Sequence, residues 1–179
     1  MSTKTLSKTI NHLDEQEARW FAVYTRYKRE KWVTQRLADK GIECYVPLQK
    51  VSRRYTRKVK HLEIPLISCY IFVKIRKSSY IPVLEEQEVV TFVKIAKDLI
   101  AIPEREINLM KRITGEQYSV EAQARTLEVG NRVRIATGNL TGMEGILVQK
   151  ENKKQFVVEL DQLGYQLLLQ IPEEQLESM

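Results

Sequence analysis

The sequence has two cysteines and two histidines in 179 residues. Cys44 and Cys69 show no CxxC spacing, and His12 and His61 cannot complete a Cys/His zinc set, which excludes disulfide scaffolds and zinc ribbons. No apolar run reaches the roughly 18 residues of a membrane helix, and residues 1–19 lack the apolar segment of a secretory signal. The expectation is a soluble, cytoplasmic protein with no membrane partner. GxSxG, a Walker loop, GxGxxG and HExxH are all missing. His12, in the leader, and His61, beside a basic run, read as solvated. Glu85, Glu86 and Glu88 read as a helix surface, and Glu173 and Glu174 as an exposed terminal turn. No catalytic residue, metal ligand or cofactor is therefore expected, and the chain is read as a non-enzyme.

Charge is what the sequence does have, and it is unevenly placed. The net charge is +6. Residues 127–179 hold 5 Lys+Arg against 8 Asp+Glu, leaving 24 against 15 for residues 1–126. The densest basic stretch, Lys50 to Lys60 (KVSRRYTRKVK), has no acid at all. Such a run suits a polyanion; the competing reading is a solvated hairpin tip that only keeps the protein in solution.

Residues 115–126 (GEQYSVEAQART) are polar, lack a strong period and coincide with the change of charge sign. They read as a linker between domains at 19–114 and 127–179, with 1–18 as a disordered leader. Trp20 to Thr25 is aromatic and β-branched enough for a strand. Lys28 to Lys40 reads as a helix, with Val33 and Leu37 four apart and Gly41 as its stop. Glu43 to Val51 and Leu62 to Ile75 are extended stretches expected to form a long hairpin with a basic tip, Pro47 marking an edge. Ser78 or Ser79 starts a short helix through Glu86 that accepts Pro82 in its first turn. Val90 to Ala96 is a fourth strand. Pro103 and Gly115 bracket a helix whose stripe is Ile107, Met110 and Ile113.

This β-α-β-β-α-β order with an added helix is the split βαβ pattern of ferredoxin-like α+β domains, with helices on one face of an antiparallel sheet. Pleat alternation then assigns the faces. Cys69, Ile71, Val73 and Ile75 lie under the helices with Phe21 and Val23. Ser68, Tyr70, Phe72 and Lys74 point outward, as do Trp20, Ala22, Tyr24 and Arg26. Tyr24, Tyr70 and Phe72 are thus expected to form an exposed aromatic patch, and such patches mark partner surfaces. Phe92 and Lys94 share a side that parity alone does not assign. The last 53 residues, 127–179, carry short alternating runs at Val129–Ile135, Ile146–Val148, Gln155–Leu160 and Tyr165–Ile171, with turns at 151–154 and 161–164. They predict a small SH3-like β-barrel in which Gly138, Gly142 and Gly145 serve tight backbone positions.

Taken together these residues resemble the NusG family of transcription elongation factors, over nearly the whole chain from Trp20. The NusG-type segments are WFAVYT, the helix ending at Gly41, Tyr45-Val-Pro47, Ile64 through Val73, and Val90-Thr-Phe-Val93. The barrel carries what looks like a KOW motif: Val133, Ile135, Gly138, Leu140, Gly142 and Gly145. The resemblance implies that the first domain grips the coiled-coil clamp helices of bacterial RNA polymerase and favours processive elongation. It maps the apolar contact pocket onto Tyr24, Ile67, Tyr70 and Phe72. Ile67 has inward parity and stands where the family usually has phenylalanine, so its role requires an irregular start to the strand.

Departures from the family pattern resemble the specialised RfaH and UpxY types, which act as antiterminators on particular long operons such as surface polysaccharide clusters. Ser68-Cys69 stands where housekeeping factors show Pro-Gly, Glu88 stands at or near a family glycine, and Leu140 replaces a common aromatic. In such paralogues basic residues after the first strand touch the non-template DNA strand, which points to Arg26, Lys28 and Arg29. The hairpin residues Arg53, Arg54, Arg57 and Lys58 are candidates for upstream DNA or nascent RNA. The barrel, expected to keep its strands, would recruit Rho or the ribosome, and the chain is expected to act as a monomer. The rivals are an RNA-recognition module, whose stacking pattern Tyr70, Phe72 and Val73 match in part, and a ribosome-associated KOW protein.

Overall fold

The computed structural model describes residues 9–116, 118–125, 130–150 and 153–179. Residues 1–8 of the expected leader, residue 117 and the end of the expected linker, and positions 151–152 of an expected turn lie outside the described residues. The chain divides into two compact units, 1–46 with 69–102, and 47–68 with 103–179. This spatial grouping differs from the sequential one expected, because the basic hairpin and the helix after Pro103 are counted with the C-terminal strands.

In the first unit β1 (Arg19–Thr25), β2 (Glu43–Tyr45), β5 (Tyr70–Ile75) and β6 (Val89–Phe92) form a sheet of order β2-β5-β1-β6. All neighbours are antiparallel, as the split βαβ pattern requires. Helix α1 (Glu30–Asp39) joins β1 to β2, and a single 3-10 turn followed by α2 (Tyr80–Leu84) joins β5 to β6. Gly41 ends α1 at φ 77°, with Gly41 N–H donating to Ala38 O at 2.8 Å and Ile42 N–H to Leu37 O at 3.0 Å. This is a Schellman stop, which a residue with a Cβ adopts poorly. Val33, Leu37 and Val83 pack on Phe21, Val23, Ile71, Val73 and Ile75, so the inward parity holds except at Cys69, which stands half-buried ahead of β5 with a φ of 67°. Phe92 also enters this core, while β6 stops there and Lys94 lies beyond it, exposed.

The helices are further joined by charge. Glu86, buried at the end of α2, meets Lys40 at 2.5 Å and Arg36 at 3.3 Å on α1. Burial alone would raise its carboxyl, but the hydrogen bonds and charges of these two cations hold it below the ordinary value. Glu86 is thus a structural clasp rather than the helix surface expected. The leader expectation is likewise corrected over residues 9–18. His12 N–H donates to Leu99 O at 2.9 Å, its Nδ1 accepts Ala101 N–H at 3.1 Å, and Leu13 packs on the core. Backbone pairing outweighs the polar composition of that segment.

In the second unit β3 (Leu48–Tyr55) and β4 (Lys58–Pro65) form an isolated two-stranded ribbon turning at residues 56–57. The expected long hairpin is therefore interrupted: residues 66–69 leave the ladder before β5 begins. Helix α3 (Glu104–Thr114) fills the expected bracket, with Ile107, Met110 and Ile113 fully buried. Six strands follow among the described residues: β7 (Val120–Ala124), β8 (Asn131–Ile135), β9 (Glu144–Lys150), β10 (Lys153–Leu160), β11 (Tyr165–Leu169) and β12 (Leu176–Ser178). They pair antiparallel in the order β12-β8-β9-β10-β11-β7. No pairing joins the two outer strands among the described residues, so what is present is an open ladder rather than a closed barrel. Strand β7 occupies what composition suggested was linker, because Val120 to Ala124 finds a complete partner in β11. Register places Leu147, Phe156, Leu169 and Val120 in one row across four strands, the kind of same-face ladder that stabilises a sheet.

Candidate binding surfaces

The aromatic patch is smaller than parity predicted. Tyr24 is 40% exposed and its ring meets that of Tyr70 edge-on, centroids 5.4 Å apart. Phe72 points to the same face of β5, but it is 0% exposed and stacks on Tyr45 of the neighbouring strand β2 at 6.2 Å. Trp20 and Ala22 are also buried, with Trp20 O accepting the N–H of Ile102 at 2.8 Å. The expected outward direction is right for these residues and the expected exposure is wrong, because alternation fixes a side chain's face and long-range packing decides what covers it. Ile67 is 3% exposed and sits in the irregular segment before β5, so it lies outside the regular pleat and inside a packed environment. A base-stacking surface built on Phe72, which the RNA-recognition reading requires, is not presented.

The three basic residues after β1 are brought together. Arg26, Lys28 and Arg29 are exposed on the short loop from β1 to α1. Lys28 Nζ lies 5.2 Å from the centroid of Tyr27, whose ring is 67% exposed, and Arg26 stands 3.7 Å from Glu88. The loop is held by backbone bonds: Arg26 N–H donates to Glu88 O at 3.0 Å and Arg29 N–H to Arg26 O at 3.1 Å. Sequence reasoning missed Glu30, the first residue of α1. It is 3% exposed, and its Oε1 accepts the N–H of Cys69 at 2.7 Å. The available signal was Cys69 itself, a side-chain-bearing residue at a position where the resemblance expects glycine, and here φ is 67°.

A model of the family described as transcription termination factor nusG matches residues 18–111, more than half of the chain. The chain belongs to the NusG family. It is thus of a transcription factor family, one not known for enzymes. The NusG-type fold is seen again in a solved structure concerned with domain interaction in Thermotoga maritima NusG, at 17% identity, covering 91% of this chain and 98% of that one with a TM-score of 0.57. Two conformations of the MjSpt4:Spt5 complex match at 16% and 17% identity, covering 89% of this chain and 96% and 97% of theirs, with TM-scores of 0.32 and 0.30. No curated protein matches the chain.

The four candidate residues of the ribbon, Arg53, Arg54, Arg57 and Lys58, are all exposed, but register separates them. Arg53 directly faces Lys60 and Tyr55 faces Lys58, whereas Arg54 faces Val59. Directly opposed residues share a side of a ribbon. One side near the tip therefore collects Arg53, Lys58, Lys60 and the exposed Tyr55, and Arg54 is on the other.

Beyond the NusG-type match, the KOW-like residues are structural. Val133, Ile135 and Leu140 are buried. Gly138 and Gly142 have φ of 90° and 84° in the β8–β9 turn, and Thr141 Oγ1 donates to Gly138 O within it. A Cβ at Gly145 would stand 2.5 Å from Val157 O and 2.7 Å from the Phe156 ring, so β9 approaches β10 here only as glycine. Within this unit α3 reaches the strand turns through Arg112 to Thr141 O at 3.2 Å and through Glu106 Oε1, which accepts Gln162 N–H at 3.3 Å. Burial raises the Glu106 carboxyl. Cys44, half-buried, donates to Ile42 O at 3.1 Å and has its thiol pushed up to about 12, mainly by burial. That places it far from thiolate reactivity. Among the described residues no His, Cys, Asp and Glu cluster could hold a metal ion, and no helix is long and apolar enough to cross a membrane.

Proposed function

We propose that this NusG-family chain is a bacterial elongation and antitermination factor that docks on the clamp helices of RNA polymerase through the Tyr24–Tyr70 edge of its N-terminal sheet. The observation that carries this reading is the T-shaped pair itself, placed on the sheet face away from α1 and α2 and accessible at Tyr24. Burying two such rings against an apolar helix contributes on the order of 1.5–3 kcal/mol each, more than exposed charge pairs give. Phe72, fully buried and stacked on Tyr45, is not the ring that meets the partner first.

The loop basics Arg26, Lys28 and Arg29 take the non-template DNA strand, and the ribbon basics Arg53, Arg57 and Lys58, with Arg54 on the reverse side, take upstream DNA or nascent RNA. Such contacts weaken with salt through counterion release. The six-stranded ladder, open among the described residues, is the KOW module and recruits Rho or the ribosome. Cys69, Glu88 and Leu140 in place of the commoner residues favour an operon-specific role of the RfaH or UpxY type, acting as a monomer in the cytoplasm. The test is binding of the full chain to RNA polymerase core enzyme. Tyr24→Ala and Tyr70→Ala are expected to abolish it, and Arg57→Ala to change its salt dependence only. Unchanged binding by both tyrosine variants would remove the reading.

A further inference from the structure

Three residues that are not glycine hold a left-handed backbone around the C-terminal end of β1: Lys28 at φ 62°, Cys69 at 67° and Glu88 at 71°. Side chains disfavour this region, and the strain persists only where the surroundings over-determine it. Here they do. Thr25, fully buried, donates its N–H to Cys69 O at 2.8 Å, and Arg26 donates its N–H to Glu88 O at 3.0 Å. The N–H of Cys69 then goes to the buried Glu30 carboxylate at 2.7 Å. A charged acceptor makes the strongest kind of backbone hydrogen bond.

We propose that Glu30 is the positioning residue for two surfaces at once. Its carboxylate holds Cys69, which is bonded to Thr25. Tyr24 and Tyr70 are the immediate neighbours of Thr25 and Cys69 on the aromatic side. Arg26 to Arg29 run from Thr25 to Glu30 on the basic side. One hydrogen-bond chain, Glu30 to Cys69 to Thr25, thereby sets the Tyr24–Tyr70 edge and the anchor points of the basic loop together, so both are preorganised before any partner arrives. Losing the acceptor frees the Cys69 peptide and loosens both. The inference rests on the reading that these surfaces bind polymerase and nucleic acid.

The full chain and four variants are compared for binding to two probes, RNA polymerase core enzyme and a mixed-sequence single-stranded DNA oligonucleotide. Glu30→Ala is expected to weaken both by about tenfold, the scale of losing a hydrogen bond to a charged group. Glu30→Gln, which keeps an acceptor oxygen, recovers most of the loss. Tyr24→Ala affects the polymerase alone and Arg29→Ala the DNA alone. Hydrogen exchange at the Cys69 amide accelerates in Glu30→Ala while the thermal transition of the chain stays cooperative. Normal binding of both probes by Glu30→Ala, with Tyr24→Ala and Arg29→Ala still selective, overturns the positioning role and spares the binding reading. Equal loss in Glu30→Ala and Glu30→Gln overturns it as well. No effect from Tyr24→Ala or Arg29→Ala removes the binding reading and this inference with it.

Discussion

The loop after β1 and the β3–β4 ribbon carry the same sign of charge and are held in opposite ways. Arg26 to Arg29 sit between a strand and a helix, tied by backbone bonds to Glu88 and bordered by the buried Glu30. The ribbon's two strands pair only with each other among the described residues, and near its tip Arg53 faces Lys60 with nothing acidic opposite. Like charges directly opposed weaken a strand pair. A basic loop whose backbone is fixed presents one geometry to a ligand, whereas a ribbon under internal repulsion gains from any polyanion that lies across it. The contrast teaches that net charge locates candidate partners and says little about preorganisation.

The largest test of that contrast is in the sheet beneath the loop. Phe72→Ala removes a fully buried ring stacked on Tyr45 and is expected to cost about 3–5 kcal/mol in denaturant unfolding. Tyr55→Ala on the ribbon should change stability by less than about 0.5 kcal/mol, and equal costs would break the comparison. Next is the clasp. Glu86→Ala leaves Lys40 and Arg36 half-exposed without their acceptor, so a loss of about 1–3 kcal/mol is expected. Because the folded carboxyl lies below its ordinary value of 4.5, the contribution of Glu86 is present above that pH and lost as pH falls through the lower folded value. The acid limb of the wild-type stability curve should therefore be missing in part from the variant. A smaller effect is expected for Cys69→Gly, which relieves the left-handed strain and raises stability by at most about 1 kcal/mol while keeping the N–H bonded to Glu30. A marked loss instead would mean that the Cys69 side chain itself is needed. The smallest is Lys60→Glu, which pairs with Arg53 across the ribbon and should stabilise it by about 0.5 kcal/mol at low salt. Slower exchange of the ribbon amides would register it, and no change would show that the facing cations are already screened.

Much of this was legible because it is periodic. Val33 and Leu37 four apart, Ile107, Met110 and Ile113 on one stripe, and the alternation through Ile71, Val73 and Ile75 each name a face, and the core holds them where expected. Gly41, Gly138 and Gly142 fell on left-handed turns as glycine chemistry suggests. The misses share a different cause. Phe72 points as predicted but is covered, residues 9–18 order by pairing with Leu99 and Ala101, and Val120 to Ala124 is a strand because β11 lies open beside it. Glu30 and Glu86 read as ordinary surface acids, since nothing within a few residues of either names the amide or the cations they meet.

Sequence alone was enough to set the alternation of strands and helices in the first sheet, the inward face of its central strands and first helix, the separation of a basic first part from an acidic last part, and the likeness to NusG proteins. These depend on spacings within one element, which pleat and helical pitch convert directly into direction. Tertiary structure alone decided which outward rings stay accessible, which acids are buried, and which non-glycine residues bear left-handed strain. Those properties arise where segments distant in the chain meet, and the free energy that settles them belongs to the contact rather than to either segment.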